Sequence, residues 1–493
     1  MIESLGAGLV LLMDPFHLGM LSLGVVLGLL IGIIPGVGGT VGFALILPFV
    51  FGLDPTSAIA VLIGMCSVTV TADTITCVLL AIPGTAGSVA TIVDGHPMAQ
   101  KGEAGRAMSA AFIASAIGGV FGAVLLAVSM PIARPLIKQF GSPEFFMLCM
   151  LGISMVSVLS GRNPLKGLTS AGIGLMLATI GGAAATPYFR FHFEIPYLYN
   201  GIHLVLVALG IFGVAECVDL MIKGMPIAGA FNLGKGTLTG IKDAFKHISL
   251  ILRCSFIGTY IGFVPGLGTS VANWLGYGHT VQTAKDKSGF GKGDVRGVIG
   301  PEAANNAARG GALIPTLIFG VPGSASMALF IVALLIFGIY PGPDMLTKHL
   351  DLVYMIVWSL AIANVAGALI CLLLAKQLAR ISVIPIHILA PFVLMILILG
   401  AYQATQHWGD LIVLLLLGGI GWSMKHFGFP RPPLIVAFVL GQIAERYLAI
   451  STRRWGAAFL LHPWVIVIGL VAVASLIMGF RWQRKNREAG AED

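Results

Sequence analysis

Long apolar runs dominate the chain, and most reach the roughly 20 residues that a helix needs to cross a bilayer. They cover 17–52, 56–93, 107–130, 143–160, 166–182 and 201–222, then 251–264, 311–340, 352–375, 385–402, 409–424, 433–448 and 464–480. Polar punctuation is sparse: a loop at 94–106, a polar and aromatic segment at 186–200, a basic connector at 223–250 and a loop at 279–302. The pattern predicts an all-α integral membrane protein with about 12 passes.

Four apolar runs are interrupted by Pro-Gly, at Pro35-Gly36, Pro83-Gly84, Pro265-Gly266 and Pro322-Gly323. Gly32-Ile33-Ile34-Pro35-Gly36-Val37-Gly38 aligns with Gly262-Phe263-Val264-Pro265-Gly266-Leu267-Gly268, at an offset of 230 (35 to 265). Ile82-Pro83-Gly84-Thr85-Ala86 aligns with Val321-Pro322-Gly323-Ser324-Ala325, at an offset of 239 (83 to 322). A single Pro-Gly is usually only a kink. Two matched pairs in the same order read as two repeated halves, 1–222 and 251–480, joined by the connector 223–250 and followed by a tail, 481–493. Such paired breaks mark the binding site of many secondary transporters, whose repeats are commonly inverted.

The chemistry of a break supports an anion site. Proline removes a helical N–H and clashes with the preceding turn. The freed backbone groups cannot face lipid, where each unpaired one costs several kcal/mol. The half-helix that restarts offers free N–H groups and the positive end of its dipole. The candidate substrate and ion ligands are therefore Gly36, Gly38, Gly39 and Thr40 at the first break, and Pro83, Gly84, Thr85 and Ser88 at the second. In the other half they are Gly266, Gly268, Thr269 and Ser270, then Pro322, Gly323, Ser324 and Ser326.

Composition agrees with a membrane chain. Of 493 residues, 57% are hydrophobic and 10% charged, against about 25% charged in soluble domains. Mean hydropathy is +0.95, and the 65 glycines suit close helix packing. The net charge of +8 reads as Lys and Arg retained in cytoplasmic loops rather than as nucleic-acid binding. Arg481, Arg484, Lys485 and Arg487 follow the last run and place the C-terminus in the cytoplasm. Lys223, Lys235, Lys242, Lys246 and Arg253 place the connector there too, whereas Arg134, Lys138, Arg162 and Lys166 flank a span on both sides. Six cysteines without a C-x-x-C pair read as small buried hydrophobes. Eleven histidines show no metal-ligand spacing, and no removable signal peptide is visible.

Two further elements put polar groups at membrane depth. Asp73 stands ten residues before Pro83, either as a coupling-ion ligand or proton acceptor or at a helix end nearer water. Pro301-Glu302-Ala303-Ala304-Asn305-Asn306 precedes the last break, either as part of a site or as a capped helix start. On a helix, Glu302, Asn305, Asn306 and Arg309 share one polar face. Asn273 and Tyr277 could line the same cavity, and Na+ could sit near Asp73 or Asn305. Glu216 and Asp219 end their span at the water interface.

With these motifs, the sequence resembles the large membrane subunit of the tripartite tricarboxylate transporters. The resemblance rests on 32–40, 82–88, 91–106, 262–269, 291–306, 320–326 and Pro341-Gly342-Pro343. It implies a permease in the bacterial inner membrane, working with a small membrane subunit and a periplasmic solute-binding protein. The implied cargo is citrate or another organic acid, taken up on a Na+ or H+ gradient with no other cofactor.

An intramembrane enzyme is the second class of function. The chain has no G-x-S-x-G, H-E-x-x-H or G-x-x-x-x-G-K-[ST] motif, which argues against hydrolase, metalloprotease and nucleotide-driven chemistry. An organic-anion channel is the third, and would show downhill flux indifferent to an ion gradient.

Overall fold

The computed structural model describes residues 2–34, 38–137, 139–159, 163–223, 236–381 and 386–489. Pro35-Gly36, Lys138, Arg162 and 224–235 of the connector lie outside them.

Helices α1 (Ile2–Met13), α2 (Pro15–Ile33), α3 (Gly38–Ile46), α4 (Pro55–Leu80), α5 (Val89–Gln100) and α6 (Ala104–Ile137) come first. Next are α7 (Ser142–Leu159), α8 (Pro164–Ala178), α9 (Leu204–Ala208) and α10 (Ala215–Lys223), the last two joined by a π-helical turn, Leu209–Val214. The connector carries α11 (Thr237–Lys246), and the second half follows with α12 (Ile248–Phe263), α13 (Gly268–Thr283), α14 (Arg296–Phe319), α15 (Ala325–Ile336), α16 (Pro343–Thr347) and α17 (Leu350–Ile381). It ends with α18 (Ile386–Thr405), α19 (Trp408–His426), α20 (Pro432–Trp455) and α21 (Pro463–Ala489). Among the described residues the strands are one two-residue pair, Gly181 opposite Arg190 and Gly182 opposite Phe189. Helix starts follow local chemistry: Asp54 accepts from Ser57 N with Pro55 in the first turn, and Asn163 accepts from Leu165 N before Pro164.

Seven helices among the described residues are long and apolar enough to cross a membrane: α2, α4, α6, α17, α19, α20 and α21. Helix α14 has the length, at 24 residues, but too polar a composition, and several apolar helices are shorter than a full span.

Three segments differ from the sequence reading. The polar stretch after 93 is not a loop, because α5 continues to Gln100 with Asp94 buried inside it. Asp94 accepts from Gly293 N (2.9 Å), Asp294 N (3.0 Å) and the Tyr277 hydroxyl (3.0 Å), so its carboxylate is fully used in tying α5 to α13 and the loop before α14. The Tyr277 hydroxyl is thereby committed to Asp94. The loop at 279–302 shrinks to 284–295, and Glu302 is a buried residue inside α14 rather than a cap. Glu216 and Asp219 are also more enclosed than a water interface implies, each 2.5 Å from Lys425, with Arg431 on Glu216.

The centre of the molecule is α4 and α14. Every residue from Ser57 to Leu79 and from Gly297 to Ile318 is buried. They run antiparallel: Thr71 meets Asn306, and Cys66 meets Arg309. Each is gripped by a glycine-faced helix. Gly28 and Gly32 of α2 lie against Met65 and Thr69 of α4, while Gly258 and Gly262 of α12 lie against Ala304 and Ala308 of α14. The glycines are 230 apart and their partners 239 apart, the same offsets as the sequence motifs. The helix ends repeat too. Ala81 (φ 54) and Gly320 (φ 68) take left-handed conformations, and donate to Thr76 O and Pro315 O. Across the halves, Gly122 of α6 packs on Ala307 of α14, and Gly367 of α17 packs on Val68 of α4.

A Cβ at Gly258 would overlap the Ala304 backbone, whereas one at Gly278 meets nothing within 4 Å. Gly258→Val is expected to destabilise the detergent-solubilised protein by about 3 kcal/mol, the upper part of the overpacking range. Gly278→Ala should be neutral or stabilise by up to ~1 kcal/mol. Thermal unfolding followed by size-exclusion chromatography checks both, and equal melting of the two variants would contradict this packing.

Candidate functional site

The breaks meet around the middle of α4 and α14. At the first, α3 restarts at Gly38, and Gly38 lies beside the Gly84 carbonyl and Thr85 of the second break. Thr40 reaches across the halves to Ser326, 3.2 Å away in the first turn of α15. Thr269, in the first turn of α13, sits against Gly87, where a Cβ would collide with it. The two contacts nearly correspond under the repeat offsets: 326 is the partner of 87, and 40 is the partner of 270, the residue next to Thr269.

Asp73 is fully buried on α4, seven residues before the helix ends, which removes the reading of a helix end near water. Its Oδ2 accepts from the Thr85 hydroxyl at 2.7 Å, and its Oδ1 has no hydrogen-bond partner among the described residues. Gly84 lies directly over Asp73, so any larger residue after Pro83 would strike the Asp73 Cβ. The Ser88 hydroxyl donates to Thr85 O at 2.9 Å and fixes the turn that carries Thr85. In the second half, Gly323 after Pro322 sits on Ala312, the repeat counterpart of Asp73, and donates to Thr316 Oγ1 at 3.3 Å. Ser324 caps α15 by accepting from Met327 N.

The polar face of α14 is divided among its neighbours. Both Glu302 oxygens are taken, by Thr91 of α5 (2.7 Å) and Ser115 of α6 (3.0 Å). Asn306 accepts from Thr71 at 3.1 Å and donates to Glu302 O at 3.3 Å. Asn273 of α13 accepts from Ala90 N at 2.8 Å, with its amide nitrogen 3.5 Å from Thr91. Asn305 is fully buried beside Gly87, and neither of its amide atoms has a partner among the described residues. Such orphaned groups are rare in folded proteins. Arg309 lies one turn further along, against Gly39.

Ten of the 21 sequence candidates therefore converge: Gly38, Gly39, Thr40, Asp73, Gly84, Thr85, Ser88, Thr269, Asn305 and Ser326 surround one region. Glu302, Asn306 and Asn273 flank it with their hydrogen bonds already made. Gly266 (φ 88) and Gly268 (φ 69) form the turn between α12 and α13, and only residues free of a Cβ adopt such angles without strain. Ser270 is half-buried in the first turn of α13. Gly36 lies outside them. Thr71, Gly87, Thr91 and Ser115 were not legible as site residues, because hydroxyls and glycines on apolar helices usually serve only packing. Among the described residues there is no group of His, Cys, Asp and Glu that could hold a metal ion, and all six cysteines are buried and free.

Comparison with known proteins places the chain. The model of the "Tripartite tricarboxylate transporter TctA family" matches residues 18–436. A relative from Agrobacterium vitis, described as "Uncharacterized 52.8 kDa protein in TAR-I ttuC' 3'region", is 31% identical over 504 aligned positions, covering 100% of this chain and 99% of its own. A second from the same organism, "Uncharacterized protein in TAR-II ttuC' 3'region", is 32% identical over 222 positions, covering 44% of this chain and 92% of its own. No solved structure matches. A family match across most of the chain, joined to a full-length relative and to helix breaks gathered around a buried polar centre, makes this chain a member of the tripartite tricarboxylate transporter TctA family.

Proposed function

We propose that the chain is the membrane permease subunit of a binding-protein-dependent secondary transporter, taking up tricarboxylates or related organic acids on a Na+ or H+ gradient. One observation carries this reading: breaks from both halves meet at a single buried polar region, Thr40 with Ser326 and Thr269 with Gly87. Helix starts supply unpaired N–H groups and positive dipole ends, which favour an anionic cargo. In this reading a periplasmic solute-binding protein delivers the acid and a small membrane subunit completes the assembly, as the family implies. The halves are inverted repeats with about 12 passes in all. The antiparallel course of α4 and α14, helices related by the 239-residue offset, supports the inversion. Lys101 on the Lys292 carbonyl and Arg106 on Asp243 bring two basic segments together, which supports a cytoplasmic face there in the bacterial inner membrane, and the basic residues that follow the last apolar run support a cytoplasmic C-terminus.

Asp73 is the better ligand for the coupling ion. It keeps one oxygen without a partner next to the Thr85 hydroxyl, whereas Glu302 has both oxygens engaged. Neutral oxygens around one carboxylate suit Na+ or a proton equally.

Cells expressing the chain with its two partner components should accumulate radiolabelled citrate against its gradient, and an ionophore should abolish this. Downhill flux indifferent to the ion gradient would overturn the transporter reading in favour of a channel. Gly84→Val and Gly323→Val should each remove uptake while the protein still inserts, checked by uptake beside membrane immunoblots. Asp73→Asn should raise the Na+ or H+ concentration for half-maximal uptake by about tenfold or more, since contacts to a charged group are worth about 1.5–3 kcal/mol. An unchanged ion dependence in Asp73→Asn would remove Asp73 from coupling.

A further inference from the structure

We infer that Arg309 binds a carboxylate of the transported acid, holding it against the first turn of α3; this rests on the reading that the cargo is an organic acid. Arg309 lies near the middle of α14 and is 5% exposed. Its side-chain partner among the described residues is the Cys66 sulfur, 3.6 Å from Nη1, and its Nε has none. Other enclosed basic side chains are treated differently. Arg106 faces Asp243, Arg190 faces Glu445, Arg296 faces Asp294, and Lys425 and Arg431 face Glu216. Five half-buried cations thus face carboxylates and a sixth, Lys166, takes the Phe427 carbonyl and the Phe429 ring, whereas Arg309, the most deeply buried, has no acidic partner among the described residues.

Three features give this cation a ligand-binding geometry. Its Nη2 lies against Gly39, where a Cβ would stand 3.5 Å from it, so the guanidinium abuts the backbone at the start of α3. The first amides of a helix have no partner within it. Asn305, one turn back on α14, is also buried with its whole amide unpartnered, and supplies a donor and an acceptor for a second polar group of the same molecule. A planar guanidinium matches a carboxylate with two parallel hydrogen bonds, which a hydrated point charge does not. The internal acids are not its counter-charges by contact: Asp73 is held by Thr85, and Glu302 by Thr91 and Ser115. The repeat also argues against a structural need, because the counterpart of Arg309 in α4 is Val70.

The test measures binding of radiolabelled citrate and succinate to the purified full-length chain, together with the Michaelis constant for citrate uptake by the complete transporter. Arg309→Gln should weaken binding of both acids on the order of 10–100-fold, the range for hydrogen bonds to a charged group. Arg309→Lys should lose about tenfold, keeping charge but not the fork. Binding by Arg309→Gln within threefold of the unaltered chain overturns the inference. If Arg309→Gln does not elute as a folded species, Arg309→Lys decides: a raised Michaelis constant with a retained maximal rate supports the role, and an unchanged constant overturns it. If the unaltered chain binds neither acid and takes up neither, the organic-acid reading itself fails, and this inference falls with it.

Discussion

A backbone freed by a helix break has no water to turn to inside a bilayer, and the rest of this structure depends on keeping such backbone away from lipid. The solution is a pair of helices buried on every side. Glycines let α2 and α12 lie directly on the backbones of α4 and α14; α6 meets the α14 backbone in the same way, and Gly367 of α17 seats the Val68 side chain of α4. Only behind that packing can Asp73, Asn305 and Arg309 exist at the centre, and only there can breaks from both halves touch one another. A larger side chain at these glycines would part the helices and expose the polar centre along with them.

The scaffold is repeated, but the chemistry is not. Glycine contacts, left-handed helix ends and the hydrogen bonds that close them recur at fixed offsets. At the same offset Asp73 corresponds to Ala312, Arg309 to Val70, Asn305 to Cys66 and Glu302 to Ile63. Two similar sets of turns therefore surround one set of polar groups, with Asp73 on α4 and Asn305 and Arg309 on α14; in the proposed transporter these groups serve as the ligands. A single asymmetric site between two similar halves can face either side when they rock about it.

The breaks were legible because proline and glycine leave an unambiguous mark in an apolar run, and their repetition gave the offsets that later matched packing contacts. Asp73 and the 302–306 element stood out because charge and amide are costly at depth. Segment boundaries were harder. Asp94 looked like loop because glycine and proline follow it, yet tertiary hydrogen bonds from Gly293, Asp294 and Tyr277 hold it inside a helix. Glu302 follows a proline and so resembled a helix start, although α14 begins earlier and runs straight through. Thr91 and Ser115 carried no signal of their own, since only the fold reveals that Glu302 faces them. Arg309 was visible as part of a polar stripe, but its lack of an acidic partner is a property of the packed molecule.

The central claim is that breaks from the two halves form one substrate site. It is tested most directly by placing cysteines at Thr40 and Ser326 in a chain otherwise free of cysteine and following disulfide formation in membranes. The account predicts ready cross-linking, since the two hydroxyls lie 3.2 Å apart, and a rate that changes when citrate is added. A pair that does not cross-link, or that cross-links at a rate no organic acid alters, would contradict it.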